Sequence, residues 1–163
     1  MNETEPKRPY SGLDAFVVTG FGSGLSPFAP GTMGAVVAVA LWLIGAWLMP
    51  HWPLQALTLA LILAFTFASV PMIRRVEQAW GEDPSRVVID EVVGTWICLL
   101  AVPPSHHWGY VLGAFALFRF FDILKPLGVR RMEAIGRGWG VMLDDILAGI
   151  YGFLVLLIVQ IVI

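Results

Sequence analysis

The sequence predicts an all-α membrane protein, a polytopic helical bundle of about five spans preceded by a re-entrant or interfacial segment. Hydrophobic residues make up 58% of the 163 residues and charged residues only 13%, and the mean hydropathy is +0.78. This composition is far more apolar than that of soluble globular domains. The apolar residues also form long runs, which is the pattern of membrane-crossing helices.

Five apolar runs, each bounded by proline, glycine or charge, are the candidate spans. They cover residues 34–49, 54–72, 87–102, 110–124 and 141–163. Because a helix needs about 20 residues to cross the hydrocarbon layer, the first, third and fourth runs are short, and we expect them to begin or end inside the membrane. The stretch 13–30 is apolar but interrupted by glycine and proline, which favours an interfacial or re-entrant path over a full span.

The chain length suits a single domain. No Ser/Gly-rich or charged linker divides it, so we expect residues 13–163 to form one membrane-embedded domain. Residues 1–12 are polar and lack the apolar core of a signal peptide, which predicts a disordered tail. Cys98 is the lone cysteine and lies in an apolar run, so we expect it to be a buried small hydrophobe. The net charge of −2 gives no support for nucleic-acid binding.

Positive charges are segregated among the connectors. The connectors at 50–53 and 103–109 contain no Lys or Arg, whereas every basic residue outside the apolar runs lies on the other side of the predicted bundle: Lys7, Arg8, Arg74, Arg75, Arg86, Lys125, Arg130, Arg131 and Arg137. Since cytoplasmic loops are enriched in Lys and Arg, this side is predicted to face the cytoplasm. The histidines His51, His106 and His107 fall on the opposite side, which disfavours a histidine nucleophile.

Five acidic residues lie at the ends of apolar runs that this threading places at the cytoplasmic surface: Asp90, Glu91, Asp122, Asp144 and Asp145. Carboxylates in such positions usually face a bundle interior, a partner or an ion. Oxygen ligands without Cys or His nearby suit a hard cation, and Mg²⁺ usually binds one or two carboxylates together with substrate phosphate. We therefore predict a Mg²⁺ site formed by these five acids. The alternative is that Asp122 pairs with Arg119 or Lys125 while the acid pairs cap helix N-termini.

Small residues follow each acid pair, namely Gly94 after the first, and Ala148, Gly149 and Gly152 after the second. Small residues let membrane helices approach closely. We expect these positions to bring the carboxylates together.

The segment 20–34, GFGSGLSPFAPGTMG, is rich in glycine, proline and hydroxyl groups and leads into the first span. It has the character of an anion cradle, with Thr32 expected to cap a helix whose N–H groups attract phosphate. The alternative is a re-entrant turn whose hydroxyls bond its own backbone. The segment matches neither a Walker A motif nor a Rossmann fingerprint. The predicted substrate-binding residues are Ser23, Ser26, Gly31 and Thr32, together with Arg119 and Lys125, which either bind phosphate or neutralise carboxylates.

Four blocks together resemble the phosphatidylglycerophosphatase A family: GFGSGLSPFAPGTMG, the IDEVVGTW of residues 89–96, FRFFDILKP and GVMLDDILAG, in the family order. The resemblance implies a Mg²⁺-dependent integral membrane phosphatase that converts phosphatidylglycerophosphate into phosphatidylglycerol and inorganic phosphate in bacterial phospholipid synthesis. It also implies a place among the lipids of the bacterial inner membrane, and the charge pattern predicts that the active site faces the cytoplasm.

Our mechanistic hypothesis is that the five acids provide the Mg²⁺ ligands and a base, that Lys125 and Arg119 bind phosphate, and that water is the nucleophile. The absence of Cys-x₅-Arg and Asp-x-Asp motifs argues against a covalent intermediate on those groups. Two alternatives stand beside it. A divalent-cation transporter would place the acids near mid-span with water paths to both sides. A lipid phosphotransferase is chemically closer, but the signature of the CDP-alcohol transferases is absent.

Overall fold

The computed structural model describes residues 9–105, 108–126, 128–133, 135–136 and 138–162. Within these ranges the chain forms α-helices and one short 3₁₀ turn, Ser23–Leu25, and no strand. The helices are α1 (Gly12–Val18), α2 (Pro30–Leu48), α3 (His51–Trp80), α4 (Ile89–Leu99), α5 (Trp108–Leu124), α6 (Val129–Glu133) and α7 (Trp139–Val162). The all-α prediction is confirmed.

Several predictions fall on parts of the chain that are not described. They concern most of the predicted tail, residues 1–8, and the residues Lys7, Arg8, His106, His107 and Arg137, all of which lie outside the described residues. The described part of the predicted tail begins at Pro9, and Ser11 already serves as the N-cap of α1.

Five of the helices correspond to the five predicted spans, but they differ in length. Three of them, α2, α3 and α7, are long and apolar enough to cross a membrane, with 19, 30 and 24 residues. By contrast, α5 has 17 residues and α4 only 11. At about 1.5 Å per residue, α4 extends roughly half the thickness of the hydrocarbon layer. The predicted count of about five crossing helices is therefore not confirmed, although the long apolar helices fit a membrane protein.

The short helix α4 is the centre of the bundle. Every one of its residues is buried except Glu91, which is half-buried, and it packs against α2, α3, α5 and α7. Beyond its first turn, which carries Asp90 and Glu91, α4 is apolar on nearly all sides, as expected of a helix inside a bundle. Because protein surrounds it, α4 can end inside the bundle, where a helix end exposed to lipid would leave its backbone groups without partners.

Two glutamine side chains satisfy the carbonyl groups at the C-terminal end of α4. Gln55 Nε2, from α3, lies 3.3 Å from the carbonyl oxygens of Leu99 and Val102. Gln160 Nε2, from α7, donates to the carbonyl of Ala101 at 2.6 Å. The last carbonyls of a helix have no partner within the helix, and leaving them unbonded in an apolar interior is costly. These amides therefore allow α4 to end inside the bundle.

The segment 13–30, predicted to be interfacial or re-entrant, forms the seven-residue helix α1 and a 3₁₀ turn, and neither is long enough to span a membrane. A capping box starts α1, since Ser11 N donates to Asp14 Oδ2 at 2.8 Å and Asp14 N donates to Ser11 Oγ at 3.1 Å. Arg75 of α3 donates two hydrogen bonds to the same carboxylate, from Nη2 to Oδ1 at 2.6 Å and from Nε to Oδ2 at 3.0 Å. The hydrogen bonds from Arg75 lower the pKa of Asp14 to about 2. This ion pair fastens α1 to α3.

Replacing Gln55 or Gln160 by leucine is expected to lower the free energy of unfolding by about 1–3 kcal/mol each, because buried carbonyl groups lose their donors. The measurement is chemical unfolding of the purified protein in detergent. Ala60→Leu, on the exposed face of α3, is the control. If both glutamine variants have the same free energy of unfolding as the native chain and this control, the glutamines do not stabilise the end of α4.

Candidate active site

A cavity of about 380 Å³ lies where α2, α4 and α7 begin and α5 ends. The loop between α3 and α4 closes another side of it. Its lining includes all five predicted acids, Asp90, Glu91, Asp122, Asp144 and Asp145, and both predicted cations, Arg119 and Lys125. Residues that are far apart in the sequence thus converge at one end of the bundle, as the threading of the helices predicts.

The close approach of α4 and α7 brings two sets of acids together. A Cβ atom on Gly149 would lie 2.6 Å from the carbonyl oxygen of Gly94, and one on Gly94 would lie 2.7 Å from that of Asp145. Neither position has room for a side chain. A Cβ on Gly152 would likewise collide with the sulfur of Cys98, which is buried as predicted. The prediction that small residues let these helices approach is therefore confirmed.

Three of the acids form a compact group. Asp90 and Glu91 from α4 and Asp145 from α7 each offer a carboxylate oxygen, and these oxygens all lie within 4.8 Å of one another. Asp90 and Asp145 are 7% and 3% exposed. Asp90 Oδ1 and Glu91 Oε2 are buried without a hydrogen-bond partner. Carboxylates so close together in an apolar interior require a cation or shared protons, and oxygen donors of this kind fit Mg²⁺.

The other two acids contact cations. Asp122 accepts from Arg119 Nη1, one turn earlier on α5. Asp144 Oδ2 lies 2.7 Å from Lys125 Nζ, while its Oδ1 accepts from the backbone N–H of Asp145 at 3.1 Å. Of the pairings considered for Asp122, the structure contains the one with Arg119. Lys125 reaches across to α7 instead.

Neither acid pair caps a helix with its side chains: the N-cap of α4 is Val88, without a side-chain hydrogen bond, and only the first pair lies in a first turn. Asp90 and Glu91 lie in the first turn of α4, where the helix dipole favours negative charge. Asp144 and Asp145 lie more than one turn inside α7, which begins at Trp139. The dipole at the N-terminus of α7 falls off within its first turn and therefore does not explain the second pair.

The glycine- and proline-rich segment contributes to the cavity with its C-terminal part. Gly31 and Thr32 line the cavity, whereas Ser23 and Ser26 are absent from its lining. Ser23 Oγ donates to the carbonyl of Gly20 at 2.8 Å, and Ser26 Oγ donates to that of Phe28 at 2.9 Å. These two hydroxyls therefore bond their own backbone, as the alternative interpretation of this segment states.

The prediction that Thr32 caps the first long helix is wrong. Helix α2 begins at Pro30, and the N-cap is Ala29, which makes no side-chain hydrogen bond. Proline suits the first helical position because its φ angle is preset and it has no N–H to satisfy. Thr32 consequently lies inside the first turn. The backbone N–H groups of this first turn have no acceptor within the helix, and the N-cap residue offers them no side-chain acceptor.

The first turn of α2 also abuts the acids directly. A Cβ atom on Gly31 would collide with Oε1 of Glu91 and would lie 3.3 Å from Nη1 of Arg119. Glycine at this position therefore allows the α2 backbone to approach both charged groups. Glycine at position 31 is thus explained by this close contact and not only by the flexibility that glycine gives to the segment.

Strained backbone is concentrated around the cavity. Ala29, Asp83 and Lys125 adopt left-handed φ angles of 43°, 46° and 46°, and all three line the cavity. Non-glycine residues in this region carry a conformational cost and cluster at functional sites. Lys125 follows the last residue of α5 and precedes Pro126, so the helix ends where the sequence predicts.

The sequence interpretation missed Asp83 and Ser85. Both line the cavity from the loop between α3 and α4. The available signal is the polar run GEDPSR, residues 81–86, which ends four positions before Asp90. Its closeness in sequence to Asp90 and Glu91 places it near the same end of the bundle.

Residues 16–160 match the model of the family described as phosphatidylglycerophosphatase A. The chain belongs to this family. A Haemophilus influenzae phosphatidylglycerophosphatase A is 37% identical over 163 residues, which cover 98% of each chain. An Escherichia coli phosphatidylglycerophosphatase A is 36% identical over 135 residues, which cover 82% of this chain and 76% of the relative.

Another relative carries a different name. A Bacteroides thetaiotaomicron protein, provisionally named a phosphatidylinositol-3-phosphatase, is 54% identical over 155 residues, which cover 94% of this chain and 97% of the relative. No solved structure matches the chain. Membership in the phosphatidylglycerophosphatase A family confirms both the resemblance and the predicted enzyme class, a phosphatase.

Gly149→Ala is expected to lower phosphatase activity by about tenfold or more, because the added Cβ pushes α7 away from α4 and small displacements of catalytic groups are costly. The measurement is kcat/KM of the purified variant, with its unfolding temperature as a check on folding. Gly113→Ala is the matched control, since its Cβ would meet only Leu156 Cδ1, at an ordinary 3.4 Å. Equal activity of the two variants would contradict a role for the Gly94–Gly149 contact in assembling the site.

Proposed function

We propose that this protein hydrolyses the terminal phosphate of phosphatidylglycerophosphate, giving phosphatidylglycerol and inorganic phosphate, with Mg²⁺ as its cofactor. The observation that carries the proposal is the cluster of three carboxylates beside two cations in one cavity of about 380 Å³. This volume lies within the range of about 300–1,000 Å³ usual for small-molecule sites. Opposite charges in one cavity suit a metal ion and a phosphate bound side by side.

Asp90, Glu91 and Asp145 would hold the Mg²⁺ ion. Their oxygens are close together, and the buried atoms Asp90 Oδ1 and Glu91 Oε2 lack hydrogen-bond partners. When bound, Mg²⁺ would neutralise phosphate charge and lower the pKa of a bound water. A carboxylate of the acidic group would accept the proton of the attacking water, in keeping with direct hydrolysis.

The chain's own cations and helix terminus would bind the phosphate. Arg119 Nε is buried without a hydrogen-bond partner, and the positive end of α2 lines the same cavity. Guanidinium groups and helix N-termini both favour phosphate oxygens. Lys125, which also lines the cavity, would add a point charge. Fixed donors of this kind stabilise charge that develops in the transition state without reorganising.

A lipid substrate requires a site at the membrane surface. Three helices are long and apolar enough to cross a membrane, and the cavity lies at their ends. The segregation of Lys and Arg to this side supports a cytoplasmic active site in the bacterial inner membrane. The substrate and the surrounding membrane lipids would be its partners.

Divalent-cation transport has less support than hydrolysis. The first acid pair begins α4, and Asp122 lies within a turn of the end of α5, whereas a permeation site would favour acids at mid-span. The family and its named members are phosphatases.

The proposal predicts Mg²⁺-dependent phosphate release from phosphatidylglycerophosphate in mixed micelles. Excess chelator is expected to abolish release, and Asp145→Asn is expected to lower it by about 100-fold, because a removed carboxylate weakens the hold on the metal. Glu82→Gln is the matched control, since Glu82 is exposed and outside the lining of this cavity. Folded native protein that releases no phosphate under any metal condition would contradict the proposal.

The same assay distinguishes the two lipids that the names of the relatives suggest. We expect kcat/KM to be higher for phosphatidylglycerophosphate than for phosphatidylinositol 3-phosphate. The phosphate of phosphatidylglycerophosphate is attached to a primary carbon at the end of a flexible glycerol. The phosphate of phosphatidylinositol 3-phosphate is attached directly to a bulky ring, which would have to fit beside it in a cavity of about 380 Å³. The reverse preference would reassign the substrate and leave the phosphatase chemistry in place.

A further inference from the structure

We infer that the five acids divide into two groups with different tasks. Asp90, Glu91 and Asp145 bind the metal, whereas Asp122 and Asp144 are positioning residues that hold Arg119 and Lys125 as a clamp for the phosphate. This inference rests on the proposed function and deepens it, because it assigns different residues to the metal and to the phosphoryl group. It departs from the sequence-based prediction that all five acids are metal ligands.

The first group has the geometry of a ligand set. Its three oxygens lie within 4.8 Å of one another. Asp90 is more than nine-tenths buried, and its Oδ1 is without a hydrogen-bond partner. Such an atom needs either a proton or a cation beside it. The group therefore combines spacing with unsatisfied negative charge.

Asp122 is engaged by a cation of its own helix. Its Oδ2 contacts Nη1 of Arg119, and the two side chains are only 13% and 17% exposed. Removing one partner of such a shielded pair leaves the other charge without compensation. A carboxylate that already neutralises a guanidinium is a weaker metal donor, because both cations draw on the same oxygen charge.

Asp144 is engaged at both oxygens. Oδ2 lies 2.7 Å from Lys125 Nζ, and Oδ1 accepts the N–H of Asp145 at 3.1 Å. Lys125 itself has a left-handed backbone at the end of α5. Its side chain is long and flexible, so a buried carboxylate that fixes the ammonium group would reduce the entropy lost when phosphate binds.

Arg119 lines the cavity while Asp122 holds it, so its guanidinium can meet a bound phosphate. Nη1 contacts Asp122, whereas Nε is buried and without a partner. The guanidinium also lies close to the first turn of α2, since a Cβ on Gly31 would be 3.3 Å from Nη1. An anion held by Arg119 would thus also lie near the N–H groups of that turn. Arg119 and the first turn of α2 therefore lie together in the cavity, beside Glu91.

The test compares Asp122→Asn and Asp144→Asn with Glu91→Gln in the full-length protein, using two measurements that do not need turnover. Mn²⁺ affinity is measured by electron paramagnetic resonance, and affinity for inorganic phosphate by isothermal titration calorimetry in the presence of metal. We expect Glu91→Gln to weaken Mn²⁺ binding by about tenfold or more. Asp122→Asn and Asp144→Asn should keep Mn²⁺ affinity within about twofold and weaken phosphate binding by about tenfold, the effect of one charge-assisted hydrogen bond.

Kinetics and a double mutant separate positioning from general damage. Asp122→Asn should raise KM for phosphatidylglycerophosphate more than it lowers kcat, and Asp122→Glu should restore part of the loss. In an Arg119→Gln background, Asp122→Asn should add little further loss of phosphate affinity, because the group that it positions is gone. This background also keeps the test usable if Asp122→Asn alone folds poorly with an uncompensated arginine.

The outcomes distinguish failure of this inference from failure of the proposed function. If Asp122→Asn and Asp144→Asn lose Mn²⁺ as Glu91→Gln does, or leave phosphate affinity unchanged, the division of the acids is overturned while Mg²⁺-dependent hydrolysis by the native protein stands. If the folded native protein neither binds Mn²⁺ nor releases phosphate from the lipid, the proposed function itself fails.

Discussion

The backbone contact between Gly94 of α4 and Gly149 of α7 is the constraint on which the rest of the structure depends. At this contact the two helices touch without intervening side chains. Asp90 and Glu91 begin α4 one turn before it, and Asp145 lies one turn before it on α7. The contact therefore forces three carboxylates together in a place where charge is expensive. Such an arrangement persists only if a cation offsets the repulsion between the acids or protons neutralise it.

The short length of α4 follows from the same arrangement. A helix enclosed by α2, α3, α5 and α7 can end inside the bundle, provided that its carbonyl groups find donors, and Gln55 and Gln160 supply them. The N-terminus of α4, the positive end of its dipole, lies at the cavity, and its first turn carries Asp90 and Glu91. One buried half-length helix thus connects the apolar centre of the bundle to the charged site, and the ion pair of Asp14 and Arg75 holds the N-terminal segment against its neighbours.

The sequence predicts much of the site because charge inside apolar runs is conspicuous. Asp90, Asp122 and Asp145 stand out for this reason, and the alternation of basic connectors places them at one end of the bundle. The length of α4 is not predictable in this way, because an apolar run has the same composition whether protein or lipid surrounds it. The Asp14–Arg75 pair joins residues 61 positions apart, which no local pattern indicates. The error at Thr32 arose because a hydroxyl is a good cap, while Pro30 had already started the helix.

The central claim is that Asp90, Glu91 and Asp145 hold a divalent metal in the cavity that also receives the phosphate. The most direct measurement is anomalous X-ray scattering, at the manganese absorption edge, from crystals of the native protein grown with Mn²⁺. The account predicts an anomalous peak among the oxygens of these three carboxylates. A peak only in the neighbouring recess lined by Glu77, Glu82 and Asp83, or no peak at a Mn²⁺ concentration that supports full activity, would contradict it.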